Sequence, residues 1–239
     1  MADVDAPTRF GSSVGSTATA NAVADPMAPE GVRRALNLGV AAIGLIVTFP
    51  VWVVIGLSVK LTSKGPVFYT QTRVGIDLRR GGTPAPRRAR DLGGRPFVIY
   101  KFRTMHHDAE RGTGVVWASK DDPRVTLLGR LLRRTRLDEL PQLWNVIKGD
   151  MNIVGPRPER AVIFRKLRDE LGPRYLIRQR VRPGITGQAQ ISQQYDTSID
   201  DVRRKLEFDI EYIERASWHL DLRIMFQTIP VILFRKGGW

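Results

Sequence analysis

The sequence contains no cysteine, which excludes disulfide bonds, cysteine-ligated zinc sites and thiol catalysis. Histidine is scarce, and the adjacent His106 and His107 stand in a polar stretch typical of an exposed loop. No carboxylate cluster with the spacing of metal ligands is found. Acidic residues are outnumbered by basic residues, 24 to 38, which gives a net charge of +14. This excess predicts a polyanionic partner, such as nucleic acid, anionic lipid headgroups or phosphorylated metabolites.

The chain is divided into three segments by composition. Its 239 residues are 42% hydrophobic, which is enough for one large domain or two small ones. Residues 1–31 are rich in Ala, Thr, Ser, Gly and Pro and are predicted to be a disordered leader. The leader lacks a basic start followed directly by an apolar stretch, so it does not resemble a secretory signal. An apolar segment follows at 32–61, and the remaining domain covers 62–239.

The apolar segment is uncharged from residue 36 to residue 59. As a helix, this stretch is about 36 Å long, enough to cross the ~30 Å hydrocarbon core of a bilayer. Both ends are flanked by basic residues, which favours the cytoplasmic side for both. Pro50 lies near the middle and predicts a kink, with Thr48 placed to satisfy freed backbone groups. A spanning helix, a re-entrant helix and a buried helix of a soluble protein all stay open at this point.

The rest of the chain predicts an α/β fold that is mostly helical with a small β-hairpin. The hairpin covers 67–102, and its long basic connection at 77–96 is either a solvated insertion or a contact with lipid phosphates. A short extended piece is predicted within 182–192. The predicted helices cover 124–136, 140–147, 161–172, 199–215 and 217–234. The first and last of these are amphipathic, so each lies either at a membrane surface or over a core.

Two adjacent carboxylates, Asp138 and Glu139, follow a run of arginines. Neighbouring helical residues diverge by about 100°, so the two carboxylates are expected to have different roles. Nearby cations are expected to lower the pKa of the aspartate and keep it ionised, which suits a nucleophile on phosphorus or a ligand of Mg²⁺. Arg157, between two prolines, is expected to be a pre-organised phosphate clamp. The alternative is a surface cluster of salt bridges.

Several longer motifs occur in a fixed order: KFRTM (101–105), LDELPQLWNV (137–146), GPRPE (155–159) and RPGITGQAQ (182–190). Together with their flanking sequence, from 32 to 236, they resemble the bacterial sugar transferase family, the monotopic polyprenyl-phosphate phosphoglycosyltransferases. The resemblance implies transfer of a sugar-1-phosphate from a UDP-sugar to undecaprenyl phosphate, with release of UMP. It also implies a covalent aspartyl-phosphosugar intermediate and Mg²⁺ as the cofactor.

The resemblance also implies roles for particular residues. Asp138 matches the catalytic nucleophile and the metal ligand of the family, and Glu139 matches its partner carboxylate. The positions that match substrate-binding residues near the active site are Lys101, Arg103, Arg133, Arg157, Arg182 and Asp221.

The family has a re-entrant membrane helix broken at a proline, which matches Pro50 and favours the re-entrant reading. Phe49 departs from the family, which commonly has serine before that proline, and the loop at 77–96 is longer than is typical. The resemblance implies a minimal catalytic unit on the cytoplasmic face of the bacterial inner membrane, in contact with anionic lipids.

Two other functions are weighed against this one. A membrane-anchored nucleic-acid-binding protein would interleave basic residues with aromatics, but the basic segments have few aromatics, so no nucleic-acid partner is expected. A scaffold without catalysis is disfavoured by the intact dyad of Asp138 and Glu139. The sequence leaves open the sugar, the glycan pathway, the polyprenol length and whether the protein forms a homodimer.

Overall fold

The structure, a computed structural model, describes residues 30–78, 93–109, 122–193 and 198–234. The predicted leader therefore lies outside the described residues, apart from its last two positions, as does most of the connection at 77–96. The α-helices of the described residues are α1 (Glu30–Thr62), α2 (Leu127–Arg134), α3 (Gln142–Lys148), α4 (Ala161–Leu171), α5 (Gln188–Ser192), α6 (Ile199–Glu214) and α7 (Trp218–Leu233). Two 3₁₀ helices cover Leu137–Glu139 and Pro173–Arg180.

The described strands form two separate two-stranded sheets. In the first, β1 (Phe68–Val74) and β2 (Pro96–Phe102) pair antiparallel, so the predicted hairpin is confirmed. In the second, β3 (Asn152–Val154) and β4 (Gly184–Thr186) pair in parallel. Strand β4 lies within the extended piece predicted for 182–192, whereas β3 was missed, because three residues are too few to show an alternating pattern.

Two hydrophobic clusters share helix α6. One face of α6 contributes Ile213 to a cluster with Val146 of α3 and Ile224 of α7. Another face contributes Leu206 to a cluster with Phe164 of α4. All of these side chains are almost completely buried, and each stabilises the fold by about 1.5–3 kcal/mol relative to an exposed position. Helix α6 thus joins the two halves of the domain that carries the site.

One face of α1 packs against the described part of the domain on both sides of Pro50. Asn37 near its start accepts a hydrogen bond from the backbone N–H of Ile153 at 2.6 Å. Beyond the middle of the helix, the ring of Trp52 lies 5.5 Å from the ring of Phe102 on β2. The opposite face exposes apolar side chains: Ile43, Ile46, Val47, Phe49, Val54 and Leu57. The helix therefore lies along the domain and turns an apolar surface outward.

Helix α1 continues through Pro50 as a single helix of 33 residues, so the break predicted there stays a prediction. Pro50 cannot donate to the carbonyl of Ile46, four residues earlier. The hydroxyl of Thr48 donates instead to the carbonyl of Gly44 at 2.6 Å. Thr48 thus does not replace the donor that proline removes, although such a bond favours local bending. Phe49, where the family commonly has serine, is 65% exposed.

Candidate active site

The two adjacent carboxylates lie on the short 3₁₀ helix between α2 and α3. Helix α2 ends at Arg134, and Arg136 then adopts a left-handed conformation with φ of 59°. This conformation is uncommon for a residue with a side chain and turns the chain sharply. The turn brings both Asp138 and Glu139 into the interior, where each is 6% exposed. A surface cluster of salt bridges is therefore excluded.

Glu139 is held by three cations. Its Oε1 lies 2.8 Å from Nζ of Lys101, 2.9 Å from Nη2 of Arg157 and 3.7 Å from Nη1 of Arg136. Burial alone would raise the pKa of Glu139, but the charges of Arg157 and Lys101 outweigh it, so the pKa lies well below its usual range. Glu139 is therefore ionised and fixed in place.

Asp138 has a different environment, although it is the next residue. Its Oδ2 lies 4.0 Å from Nζ of Lys101, and its buried Oδ1 has no hydrogen-bond partner. Burial raises the pKa of Asp138 more than Lys101 lowers it, and the charge of Glu139 also raises it. The expectation of a lowered pKa for this aspartate is therefore wrong, because burial outweighs the charges of Lys101, Arg133 and Arg136, which do lower it.

Asp138 provides the part of the site that fits a metal ion. A buried carboxylate oxygen without a partner is costly unless something binds it. Mg²⁺ commonly uses one or two protein carboxylates and takes its other ligands from water and substrate phosphates. The described residues contain no cluster of three or more acidic or histidine ligands. The residues present thus fit Mg²⁺ shared with a phosphorylated substrate better than a metal bound by protein alone.

Lys101 is positioned by an asparagine of helix α3. The side chain of Asn145 donates to the carbonyl of Val98 at 2.6 Å and accepts from the N–H of Tyr100 at 3.1 Å. It thereby pairs with the free backbone N–H and carbonyl groups at the edge of β2, as a third strand would. Asn145 lies on α3, only six residues after Glu139. Helix α3 therefore fixes the strand that carries Lys101 close to the dyad. Asn145 was missed by the sequence analysis, because nothing marks a buried amide in the sequence.

Arg157 reaches Glu139 from a loop whose backbone carbonyls accept hydrogen bonds from two other arginines. The carbonyl of Arg157 accepts from Nη2 of Arg178 at 2.9 Å, and that of Pro158 accepts from Nη1 of Arg73 at 3.0 Å. The loop is thus fixed, as its prolines predicted, but the head of Arg157 is bound to a carboxylate. Neither Arg73 nor Arg178 was predicted, because both lie far from the motif in sequence.

Arg133 and Arg103 were both predicted to bind substrate near the site. Arg133, five residues before Asp138, donates from Nε to the hydroxyl of Thr104 at 2.9 Å, and its charge lowers the pKa of Asp138. Arg103 points elsewhere: its Nη2 donates to the carbonyl of Ser63 at 2.8 Å, just after α1. Arg103 thus holds the end of the apolar helix, and its role in binding substrate stays a prediction.

Arg182 and Asp221 also have structural partners. Arg182 donates from Nε to the carbonyl of Gly149 at 3.1 Å, at the end of α3. Asp221 is completely buried and forms an ion pair with Arg33 of α1 at 3.0 Å. The structure therefore brings Lys101 and Arg157 to the dyad, and the charge of Arg133 acts on it. The contacts of Arg182 and Asp221, in contrast, lie at helix ends. Their roles in binding substrate stay predictions.

The chain is similar to several bacterial proteins. UDP-N-acetylgalactosamine-undecaprenyl-phosphate N-acetylgalactosaminephosphotransferase of Aeromonas hydrophila is 39% identical over 207 residues, 87% of this chain and 45% of that protein. UDP-glucose:undecaprenyl-phosphate glucose-1-phosphate transferase of Escherichia coli K12 is 41% identical over 201 residues, 83% of this chain and 39% of that protein. Exopolysaccharide production protein PSS of Rhizobium leguminosarum bv. phaseoli is 35% identical over 213 residues, 87% of this chain and 98% of that protein.

The chain thus spans less than half the length of the first two relatives and nearly all of the third. The family model for bacterial sugar transferases matches residues 29–235. This match begins at α1 and includes both sheets, the acidic dyad and the Pro-Arg-Pro loop. The chain therefore belongs to the bacterial sugar transferase family.

Proposed function

We propose that this protein transfers a sugar-1-phosphate from a UDP-sugar to undecaprenyl phosphate, which gives UMP and a polyprenyl-diphosphate-sugar. The observation that carries the proposal is the division of the dyad: Glu139 is held by cations, and Asp138 keeps one oxygen without a partner. The names of the relatives from Aeromonas and Escherichia each include a UDP-sugar and undecaprenyl phosphate. The reaction would begin the assembly of an exopolysaccharide, capsule or O-antigen.

Asp138 is the proposed nucleophile. In the first step, a carboxylate oxygen of Asp138 forms a bond to the β-phosphorus, the bond from that phosphorus to the bridging oxygen breaks, and UMP leaves. In the second step, a phosphate oxygen of the lipid attacks the same phosphorus, and the bond to Asp138 breaks. Burial supports this role, since a desolvated carboxylate with a raised pKa is a stronger base than an exposed one.

The cations around the dyad would stabilise the charge that develops on the phosphoryl oxygens. Lys101 lies within 4.0 Å of both carboxylates, and Arg133 and Arg136 also act on the charge of Asp138. Fixed cations stabilise a phosphoryl-transfer transition state without reorganisation. The hydrogen bonds to Glu139 keep Lys101 and Arg157 in place before the substrate arrives.

Asp138 is also the residue that would hold Mg²⁺. The ion, when bound, would neutralise charge on the diphosphate of the donor. Asp138 would contribute a carboxylate oxygen, and the substrate would supply further ligands. Chelation with EDTA is expected to abolish UMP release, and added Mg²⁺ to restore it. Undiminished release in EDTA would contradict a metal requirement.

We also propose that α1 enters and leaves the membrane on its cytoplasmic face. The described residues contain one helix apolar enough to cross a bilayer, with mean hydropathy 2.5. A crossing helix would place its ends about 30 Å apart on opposite sides of the hydrocarbon core. Here Asn37 and Trp52, on either side of Pro50, both contact the same domain. Leu127 and Leu131 of α2 are also exposed, which supports an adjacent membrane surface.

Single cysteines would test this topology, because the chain has none of its own. Val32→Cys and Leu61→Cys place thiols at exposed positions near the two ends of α1. In inside-out membrane vesicles, an impermeant maleimide is expected to label both variants, and in right-side-out vesicles neither. Opposite labelling of the two variants would show that α1 spans the membrane.

The reaction is tested by the nucleotide that is released. Purified protein in nanodiscs, with Mg²⁺ and undecaprenyl phosphate, is offered a panel of UDP-sugars. UMP is expected with one donor in the presence of the lipid and is expected to be lost in Asp138→Asn. Asp169→Asn is the matched control, since Asp169 is an exposed aspartate on α4. Release of UDP would mean ordinary glycosyl transfer, and full activity of Asp138→Asn would refute the nucleophile.

A further inference from the structure

Arg178 is a buried cation beside Tyr175 of the second hydrophobic cluster, and all three nitrogens of its guanidinium donate hydrogen bonds. Nε donates to Oδ2 of Asp209 at 2.8 Å, and Nη1 donates to the hydroxyl of Tyr175 at 2.6 Å. Nη2 donates to the carbonyl of Arg157 at 2.9 Å. The side chains of Arg178 and Asp209 are 5% and 2% exposed. The pair therefore links α6 to the loop that carries Arg157.

Stability alone does not account for a charged pair at this position. Arg178 contacts Tyr175, which belongs to the second hydrophobic cluster, and the charge of Glu159 also acts on it. Replacing a buried ion pair with well-packed apolar residues is often neutral or stabilising. An apolar residue, however, could not donate a hydrogen bond to the carbonyl of Arg157. The distinctive contribution of Arg178 is thus the bond to the Pro-Arg-Pro loop.

The loop needs donors from outside because its prolines have none. Four consecutive carbonyls, from residue 156 to residue 159, each accept a hydrogen bond from another segment. The donors, in the order of these carbonyls, are the N–H of Gly184, Nη2 of Arg178, Nη1 of Arg73 and the N–H of Val74. The middle two bonds come from side chains and fix the part of the loop that carries the guanidinium of Arg157.

We propose that Arg178, held by Asp209, is a positioning residue that fixes the backbone of Arg157, so that the guanidinium of Arg157 meets Glu139 in the geometry that the reaction needs. The proposal rests on the function proposed above. Planar guanidinium can bind an oxygen on each of three sides, whereas the ammonium of lysine is a compact point charge on a flexible stem. Arg178→Lys therefore keeps the charge beside Asp209 and loses the three-way contact.

The test compares Arg178→Lys with Arg174→Lys. Arg174 pairs with Glu207 at 2.7 Å across the same two helices, the 3₁₀ helix and α6, but the side chains of both residues are exposed. For Arg178→Lys we expect kcat for UMP release to fall about 10²-fold with little change in KM, the size associated with a ~1 Å misplacement. Arg174→Lys is expected to match the wild type in both. Full kcat in Arg178→Lys would overturn the proposal.

A double-mutant cycle separates positioning from general stability. If Arg178 acts through Arg157, Arg178→Lys should cost little further activity in an Arg157→Ala background. If it acts only by stabilising the fold, its effect should be the same in both backgrounds, which would refute the proposal. Asp209→Asn provides a second variant, with the same expected loss in kcat and the same dependence on Arg157.

Hydrogen exchange gives a readout that does not depend on activity. In Arg178→Lys, the amide of Gly155, which donates to the carbonyl of Thr186, is expected to exchange faster, with α6 unchanged, whereas Arg174→Lys should leave this amide protected. A wild-type protein that releases no UMP would defeat the proposed reaction, and the exchange data would still decide the positioning role. Unchanged protection of the loop in Arg178→Lys would refute it.

Discussion

Replacing Arg33 with methionine would show how strongly the start of α1 is anchored to the domain. Arg33 donates to Oδ2 of Asp221 at 3.0 Å and to the hydroxyl of Tyr212 at 2.7 Å. Asp221 is completely buried, and without Arg33 the hydroxyl of Tyr212, at 2.8 Å, remains as its side-chain partner among the described residues. Removal of one partner from a buried ion pair costs about 3–5 kcal/mol. For a chain of this size, that corresponds to a fall in Tm of about 6–20 °C.

The assay is thermal unfolding in detergent micelles, followed by far-UV circular dichroism. Arg203→Met is the matched control, since Arg203 pairs with Asp200 at 3.0 Å on the exposed surface of α6, where such pairs contribute about 0–1 kcal/mol. The double variant Arg33→Met/Asp221→Leu should recover much of the loss, because it removes both charges. Equal Tm values for Arg33→Met and Arg203→Met would refute the anchoring argument. UMP release by the double variant would show that Asp221 is not required to bind substrate.

Three further variants test local features by thermal unfolding and UMP release. Asn37→Leu leaves the N–H of Ile153 unpaired and should cost about 1–3 kcal/mol; an unchanged Tm would mean that water replaces the amide. Gly129→Ala drives a methyl group into the carbonyl of Thr104 and should cost about 1–3 kcal/mol; an unchanged Tm would mean that α2 shifts to make room. Arg136→Gly should keep or raise Tm, because glycine adopts φ of 59° without steric cost, yet lower UMP release through loss of a cation near the dyad; a lower Tm would contradict this view of the turn.

The sequence predicted those parts of the fold that depend on local patterns. The alternating residues of β1 and β2 and the apolar positions of α6 and α7 each lie in one continuous segment, so their periodicity was readable. The parallel pair of β3 and β4 has three residues in each strand, and α4 and the second 3₁₀ helix separate the two strands in sequence. Such pairing depends on the whole topology, so neither three-residue segment shows a sequence pattern that predicts it.

The candidate site was predicted through motifs, and its contacts were not. Lys101 and Arg157 are 38 and 18 residues from Glu139 in sequence, yet both bond to its carboxylate. A count of nearby charges in the sequence could not show that these cations reach Glu139 more closely than Asp138. Arg103 and Arg182 belong to equally prominent motifs, but their guanidinium groups hold the ends of α1 and α3.

The division of labour within the dyad follows from two opposing demands on a carboxylate. A carboxylate hydrogen-bonded to arginine and lysine stays ionised, but its lone pairs are occupied and its nucleophilicity falls. A buried carboxylate without such bonds has accessible lone pairs, but burial raises its pKa. Two adjacent residues resolve this conflict: Glu139 collects Lys101 and Arg157, while Asp138 lies close enough for Lys101 to act on its charge across 4.0 Å without a hydrogen bond. The second carboxylate is therefore needed to hold the cations beside the first.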